Sequence, residues 1–303
     1  MKLSLVVLNY KTASDTLECL KSLKQANVPP QFKVETIVVD NGSGDDSVEL
    51  ISVAFPEIKL IQTGKNLGFA GGNNVGIKQA LVDAPTFIML LNSDTIVPKS
   101  FYRDLTRMVE KCNFDIASPL IYFAPGFEFH PRRYKKNDLG KVIWYAGGHI
   151  DWDNVYGSHV AVDEVDHGQL PTCSPTDFVT GACILLKPKV IRTIGYLNED
   201  YYLYLEDLEY CLRARNAGFS VGFISPVHLW HKVSVSSGGI GSSLSDYFIT
   251  RNRLLLGFKY ASWRTRLALL RQSLGQLISG TTAQRVAIVD FLLRRLGQGS
   301  WLK

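Results

Sequence analysis

The chain has 303 residues, 46% of them hydrophobic and 20% charged, with a formal net charge of +5. That length suits one large α/β domain with an appendage, or two modest domains, and it can bury a core without disulfides or a structural metal. Twelve prolines, 25 glycines and 11% aromatic residues exclude a disordered or fibrous chain, and no stretch reaches the roughly 18 uninterrupted apolar residues of a membrane span.

Apolar runs recur through the first half, at Leu3–Leu8, Thr36–Val39, Ile58–Ile61 and Phe87–Leu91. Between them lie segments of helical spacing, such as Leu17, Leu20 and Leu23, or Val75, Ile77, Ala80 and Leu81. Continuous apolar strands alternating with amphipathic helices predict a parallel sheet covered on both faces. In such a sheet ligands bind beyond the carboxyl ends of the strands. Polar clusters stand at three of those ends: Asn9-Tyr10, Asp40-Asn41-Gly42-Ser43 and Asn92-Ser93-Asp94.

Asp40 reads either as part of a turn or as a carboxylate accepting hydrogen bonds from a base or ribose. The segment from Asn66 to Asn74 is dense in Gly and Asn. Its glycines permit close backbone approach, and the helix after it offers N–H groups to anionic oxygens. It fits neither Gly-x-Gly-x-x-Gly nor a Walker loop, which argues against a dinucleotide oxidoreductase or a P-loop enzyme. Its asparagines suit directional bonding to a sugar. Asp94, with Asn92 beside it, is a candidate ligand for a hard divalent cation, and an Asx turn is the plainer reading.

Residues 124–170 show little periodicity and read as an irregular insertion. Phe178–Leu186 and Val221–Ile224 are strand-like, with a helical pattern over Glu206–Asn216 between them. Glu206 and Asp207 open that helix. They serve either its dipole or an active site in which one of them is a general base. His228 and His231 precede Ser234, Ser236 and Ser237, and His231 is a candidate metal ligand. From Asp246 onward the pattern is helical. The five cysteines include no Cys-x-x-Cys pair and are odd in number, which predicts reduced thiols in a cytoplasmic protein and no zinc site.

In this order, the motifs Val7-Leu8-Asn9-Tyr10, Val39 to Ser43, Asn66 to Asn74, Leu91 to Asp94, Val179-Thr180-Gly181-Ala182, Glu206-Asp207 and His231 resemble the inverting family 2 glycosyltransferases, in particular the rhamnosyltransferase-like members. The resemblance spans about residues 1–260. It implies an α/β fold of the GT-A type: a mostly parallel sheet flanked by helices, here with a C-terminal helical extension. The catalytic domain would cover 1–246, with a nucleotide-sugar half to about 123 and an acceptor half from about 124. The reaction implied moves a sugar, rhamnose from dTDP-rhamnose or alternatively a hexose from a UDP donor, to a saccharide or polyprenyl-diphosphate-linked acceptor in bacterial surface polysaccharide assembly. A nucleotide-sugar binding module without turnover is the rival reading.

By the same resemblance, Asn9, Tyr10, Asp40 and Asn41 would border the nucleotide. Asn66, Gly68, Phe69, Gly71, Asn73 and Asn74 would lie along the nucleotide-sugar. Asn92-Ser93-Asp94 stands where the family carries its Asp-x-Asp motif, with Asn in the first position. Asp94 and His231 would hold a divalent metal, Mg²⁺ or Mn²⁺. Gly181 and Glu206 would face the acceptor, Asp207 would be the catalytic base, and Arg251 is expected near the diphosphate.

The charge is split along the chain. From Tyr247 to Lys303 ten Lys/Arg and the single acid Asp290 give +9, while residues 1–246 carry 23 basic and 27 acidic side chains, a net of −4. Trp263, Leu267, Leu270, Leu274 and Leu277 form one helical stripe, and Val286, Val289, Leu293 and Leu296 a second pattern. The basic amphipathic tail 247–303 is expected to pack on the catalytic domain, to join a second copy as a homodimer, or to bind an anionic membrane surface at the inner face of the cell membrane. Its aromatics lie on helix faces, which disfavours nucleic acid as a partner.

Overall fold

The computed structural model describes residues 1–233 and 241–302; Ser234, Ser236 and Ser237 lie outside them. The first half alternates as the apolar runs predict: β1 (Lys2–Asn9), α1 (Ala13–Gln25), β2 (Lys33–Asp40), α2 (Ser47–Ala54), β3 (Lys59–Gln62), α3 (Gly68–Val82) and β4 (Phe87–Asn92). Then come β5 (Thr95–Ile96), α4 (Phe101–Cys112), β6 (Ile116–Phe123), β7 (Ile143–Tyr145), β8 (Gly148–Asp151), β9 (Tyr156–His159), β10 (Cys173–Pro175) and β11 (Cys183–Leu186). α5 (Pro188–Ile194), α6 (Glu206–Asn216), β12 (Val221–His231), α7 (Ser243–Tyr260), α8 (Trp263–Ser279) and α9 (Thr282–Leu292) complete the chain.

All the strands but β8 and β9 form one large sheet in the order β10-β12-β6-β11-β4-β1-β2-β3, with β5 beside β12 and β7 beside β6. β1 is parallel to both β2 and β4, β2 to β3, and β12 to β6, while β11 runs antiparallel between β4 and β6. Alternate residues of the apolar strands supply the two faces. Leu3, Leu5, Val7, Val38 and Met89 join one core cluster, and Val6, Ile37, Val39, Ile88 and Leu90 the other. The strand expected over Phe178–Leu186 shortens to Cys183–Leu186, because Cys183 N–H bonds back to Thr180 O and turns the chain through Gly181. The insertion at 124–170 holds β7 and the hairpin β8–β9.

The Gly-rich segment is a helix from Gly68 on, and two of its glycines serve packing. A Cβ on Gly76 would lie 2.2 Å from Val6 Cγ1, and one on Gly72 2.5 Å from Leu8 Cδ1, so α3 rests directly on β1.

The boundary expected at 246 falls inside α7. Leu254, Leu256, Ala261, Leu269 and Ile288 belong to the same core cluster as Val6 and Leu90, so the tail packs as part of the fold. Most of the stripe on α8 does not face the core. Thr265, Leu269 and Ser273 face inward, while Trp263, Leu267, Leu270 and Leu274 are exposed. Val289 of α9 and Leu293 just after it are likewise exposed, and Ala283, Ala287 and Ile288 are buried instead. Among the described residues no helix is long and apolar enough to cross a membrane.

The expectation of five thiols is corrected. Cys112, at the end of α4, and Cys173, in β10, form a disulfide with Cα atoms 5.9 Å apart, and only Cys19, Cys183 and Cys211 are free, all buried. The two halves lie 61 residues apart in sequence and meet because α4 and β10 both pack on β12, which no local spacing reveals. The cytoplasmic placement drawn from the cysteines loses that support.

Gly76→Ala should destabilise the fold, since overpacking a tight interface costs about 1–3 kcal/mol and outweighs the helix-propensity gain of about 1 kcal/mol. A lower urea midpoint with unchanged slope is the expected result. A midpoint at or above that of the parent protein would show that α3 has room at β1.

Candidate active site

The carboxyl ends of the strands are in register across the sheet. Asn9 lies opposite Asp40, Asp40 opposite Gln62, and Leu8 opposite Asn92. Asn9 and Asp40 are buried there and bind each other rather than open space. Asn9 Nδ2 donates to Asp40 Oδ1 at 2.8 Å and to Ser43 Oγ at 3.1 Å, and its Oδ1 accepts from Thr16 Oγ1 at 2.7 Å. Asp40 accepts further from the hydroxyl and the N–H of Ser43 and is only 3% exposed. Asp40 thus closes a turn, and Tyr10 and Gly42 of these clusters are half-buried.

The asparagines of the next segment also make internal hydrogen bonds. Asn41 Nδ2 donates to Asn66 Oδ1 and Gly68 O, and Asn41 Oδ1 accepts from Leu67 N–H. Asn66 Oδ1 accepts from Gly68 N–H, and Ala70 N–H bonds to Tyr202 O, so these amides at the start of α3 are not offered to an anion. Asn73 Nδ2 bonds back to Phe69 O. Asn74 exchanges bonds with the main chain of Leu197 and donates to Glu199. Gly71 is buried, and a Cβ there would lie 2.8 Å from Leu67 Cβ, so its smallness serves packing.

Asp94 and His231 do come together. β5 pairs with β12 so that Thr95 stands opposite His231, and His231 Nε2 lies 3.0 Å from Asp94 Oδ1, with both side chains buried. Beyond that contact neither ring nitrogen of His231 has a hydrogen-bond partner. Trp144 holds the imidazole in place edge-on, with ring centroids 4.4 Å apart. A carboxylate oxygen and an imidazole nitrogen at this separation fit adjacent corners of an octahedral ion whose ligands lie at about 2.1 Å. Among the described residues no group of three or more His, Cys, Asp or Glu gathers, so the pair would leave most positions to phosphate oxygens and water. Asn92 and Ser93 precede Asp94 half-buried, with Ser93 Oγ 3.2 Å from Thr12 Oγ1. His228 packs between Tyr122 and Trp230 instead.

The second centre is built on Gly181. Its N–H donates to Asp207 Oδ2 at 2.7 Å, and Asp207 Oδ1 accepts from Leu208 N–H at 2.7 Å. A Cβ at Gly181 would meet the Phe69 ring at 3.1 Å and Asp207 Oδ2 at 3.4 Å, so glycine here lets the ring and the carboxylate close on one strand end. Glu206 is buried beside Asp207, and its Oε2 has no partner. Burial, then the charge of Asp207, pushes the Glu206 carboxyl well above the usual carboxylate range. Burial also raises Asp207, opposed by the N–H groups of Gly181 and Leu208. Two backbone N–H groups favour the charged form of Asp207, while Glu206 Oε2 has none, so Asp207 is the member of the pair better suited to carry the charge. The two centres are joined by one bond, Asn92 N–H to Ala182 O at 3.0 Å.

Arg251 does not reach this site. It is fully buried in α7, with its guanidinium bonded to Gly297 O, Asp200 O, Tyr201 O and Asn252 Oδ1. The helical pattern shows that it is on a helix but not which face is inward. Trp144 and Tyr202 were not legible as site residues. Trp144 lies in the aperiodic insertion, and Tyr202, whose ring packs on Gly68, lies outside every motif. A cavity of about 370 Å³ between α1, α2 and β2, lined by Leu20, Phe55 and Ile58, contains none of these groups.

The family model described as Glycosyl transferase family 2 matches residues 4–194. The chain is 28% identical to the low-salt glycan biosynthesis hexosyltransferase Agl10 of Haloferax volcanii, over 84% of this chain and 74% of that protein. It is 25% identical to the dTDP-rhamnosyl transferase RfbF of Shigella flexneri, over 83% and 78%. The mannosyltransferase PcManGT of Pyrobaculum calidifontis, solved with GDP-Man and Mn²⁺, superposes with a TM-score of 0.56 at 12% identity, over 95% of this chain and 73% of that one. The architecture is that of the GT-A glycosyltransferases.

If Asp94 and His231 hold a cation, Mn²⁺ titrated into the protein with a nucleoside diphosphate should bind at least tenfold more weakly to Asp94→Asn and to His231→Ala. Asp207→Asn should bind it as the parent protein does. Calorimetry reads this without turnover, and equal binding by all four proteins would remove the assignment.

Proposed function

The chain belongs to glycosyl transferase family 2, and from that premise we propose that it is an inverting, metal-dependent hexosyltransferase acting on a saccharide or polyprenyl-diphosphate-linked acceptor in surface polysaccharide assembly. The carrying observation is the unequal pair Glu206 and Asp207 at Gly181. Asp207 is an ionised carboxylate with raised basicity, which suits a general base for a hydroxyl whose own pKa is high. Glu206, protonated, can donate a hydrogen bond to the acceptor without competing for its proton. As the acceptor oxygen bonds to the anomeric carbon, its proton passes to Asp207, and the bond to the nucleoside diphosphate breaks on the opposite face. One displacement inverts the centre, and no enzyme nucleophile is required. Asp94 and His231 would hold the divalent ion, whose chemistry is to stabilise the charge gathering on the departing diphosphate. Tyr10, Asn92 and Ser93 would border the donor, and the Phe69 ring its sugar. The likeness to a dTDP-rhamnosyl transferase supports rhamnose as the sugar moved, with UDP-hexose donors as the alternative.

With dTDP-rhamnose, UDP-hexoses and a lipid-linked saccharide as substrates, nucleoside diphosphate release should be largest for dTDP-rhamnose. Asp207→Asn should lower kcat by about 10²–10⁴ with donor affinity kept, and Glu206→Gln should retain most activity. The rate should fall as pH drops through the raised Asp207 value, because protonation removes the base, and Glu206→Gln should leave that acid limb in place. Donor binding without turnover in the parent protein, or full turnover by Asp207→Asn, would favour the binding-module reading.

We also propose that α8 and α9 dock on an anionic membrane surface. Leu267 and Leu274 are 56% and 64% exposed, and Trp263 joins them on one stripe. Arg264 and Arg271 border that stripe and are exposed too. Apolar side chains flanked by cations match a bilayer with acidic headgroups. In flotation with phosphatidylglycerol vesicles, a Leu267→Ser, Leu274→Ser protein should stay behind while the parent protein floats. Equal flotation would exclude this face, and loss of a dimer in the variant would assign it to a second copy.

A further inference from the structure

The tail holds a device that none of the motifs announced. The segment Asp200–Leu205 leads directly into Glu206 and Asp207, and three of its residues adopt positive φ without being glycine: Tyr202 at 62°, Tyr204 at 68° and Leu205 at 67°. L residues rarely hold this conformation unless their surroundings impose it. The surroundings here are two adjacent side chains of α7. Asn252 Nδ2 donates to Tyr201 O, Leu203 O and Tyr204 O, each at 2.8 Å. Arg251 Nη2 donates to Asp200 O and Tyr201 O, each at 3.0 Å, and Nη1 to Gly297 O at 2.6 Å. Arg251 also sets the orientation of its neighbour. Its Nε and Nη2 both donate to Asn252 Oδ1, at 3.1 and 2.9 Å, which turns the Asn252 amide nitrogen toward the carbonyls. Both side chains are fully buried, and the guanidinium lies 5.0 Å from the Phe248 ring centroid.

The same loop packs on the start of α3. Tyr202 stacks on Phe248, its ring fills the space above Gly68, and its carbonyl accepts from Ala70 N–H. Phe69, between those two residues, is the ring that lies against Gly181 beside Asp207. Leu205, left-handed, is the residue from which α6 starts.

We propose that Arg251 and Asn252 are positioning residues for the base. They hold the left-handed turn whose release would let the first turn of α6 rotate and draw Asp207 off Gly181 N–H. Arg251 thus acts through the backbone of 200–204 and not on a phosphate. The kinetic part of this inference rests on the glycosyltransferase reading; the structural part does not.

The test is Asn252→Asp, which keeps the size of the side chain and an acceptor for Arg251 but has no N–H to donate. Thr281→Ala serves as a control, because its hydroxyl caps α9 and bonds to Asp246, so the change loosens the tail elsewhere. Hydrogen exchange followed by NMR reads the amides of Gly181 and Leu208, both bonded to Asp207. The expected result is at least tenfold faster exchange at these two amides in Asn252→Asp and unchanged exchange in Thr281→Ala. In the transfer assay, kcat should fall at least tenfold with the donor KM within threefold, and Asn252→Ala should behave alike. Parent-like protection at both amides in Asn252→Asp, or the same loss in Thr281→Ala, would overturn the proposal. Lost protection in a protein whose parent form transfers no sugar would instead overturn the glycosyltransferase reading and leave the positioning role intact.

Discussion

The site depends on one strand running against its neighbours. β11 lies antiparallel on β4, with Cys183 opposite Leu91, so the start of β11 meets the end of β4. A wholly parallel sheet would gather only carboxyl ends at this edge. The reversal adds the amino end of β11, and with it the Gly181 N–H that binds Asp207. The Asn92-to-Ala182 hydrogen bond closes the junction and fixes the spacing between the base and the turn that carries Asp94. A second antiparallel contact, β5 on β12, brings His231 to the same turn. Both centres of the site are therefore products of reversed strands inserted into a parallel framework.

Electrostatics follow from that packing. Two neighbouring carboxyls share a buried pocket and cannot both ionise cheaply, so their hydrogen bonds decide which keeps the charge. Asp207 accepts two backbone N–H groups, which favour its charged form, while Glu206 lacks a partner for Oε2. The tail shows a similar division of its charge. Arg251 is buried, Arg253 bonds to Asn154 O and Gln272, and Lys259 pairs with Glu209. The single acid, Asp290, is buried too and accepts from Tyr247 and Ser300. Part of the +9 thus ties the tail to the body, while Arg264, Arg271 and Arg285 are exposed on α8 and α9.

The Asn- and Gly-rich segment illustrates why composition predicts a place more readily than a role. Asn41 and Asn66 follow the carboxyl ends of β2 and β3 and Asn74 lies in α3, yet their amides bind backbone and one another. Close helix-on-sheet contact and directional polar bonding call for the same residue types whether the partner is a ligand or β1. Only the distances distinguish the two uses, as at Gly76 against Val6.

What the sequence by itself determined is what local periodicity and strand chemistry carry. The four early strands, the helix over Glu206–Asn216, the two-faced core, the family and the pairing of Asp94 with His231 were all legible, because each is written in contiguous residues or in motif order. The tertiary structure alone decided the rest. Burial of Arg251, the Cys112–Cys173 disulfide, the outward turn of the α8 stripe and the left-handed loop before Asp207 depend on residues 46 or more positions apart in sequence, or on which face of a helix meets the sheet. A period of 3.6 residues marks that a face exists; the neighbour it meets is set by how the sheet is threaded.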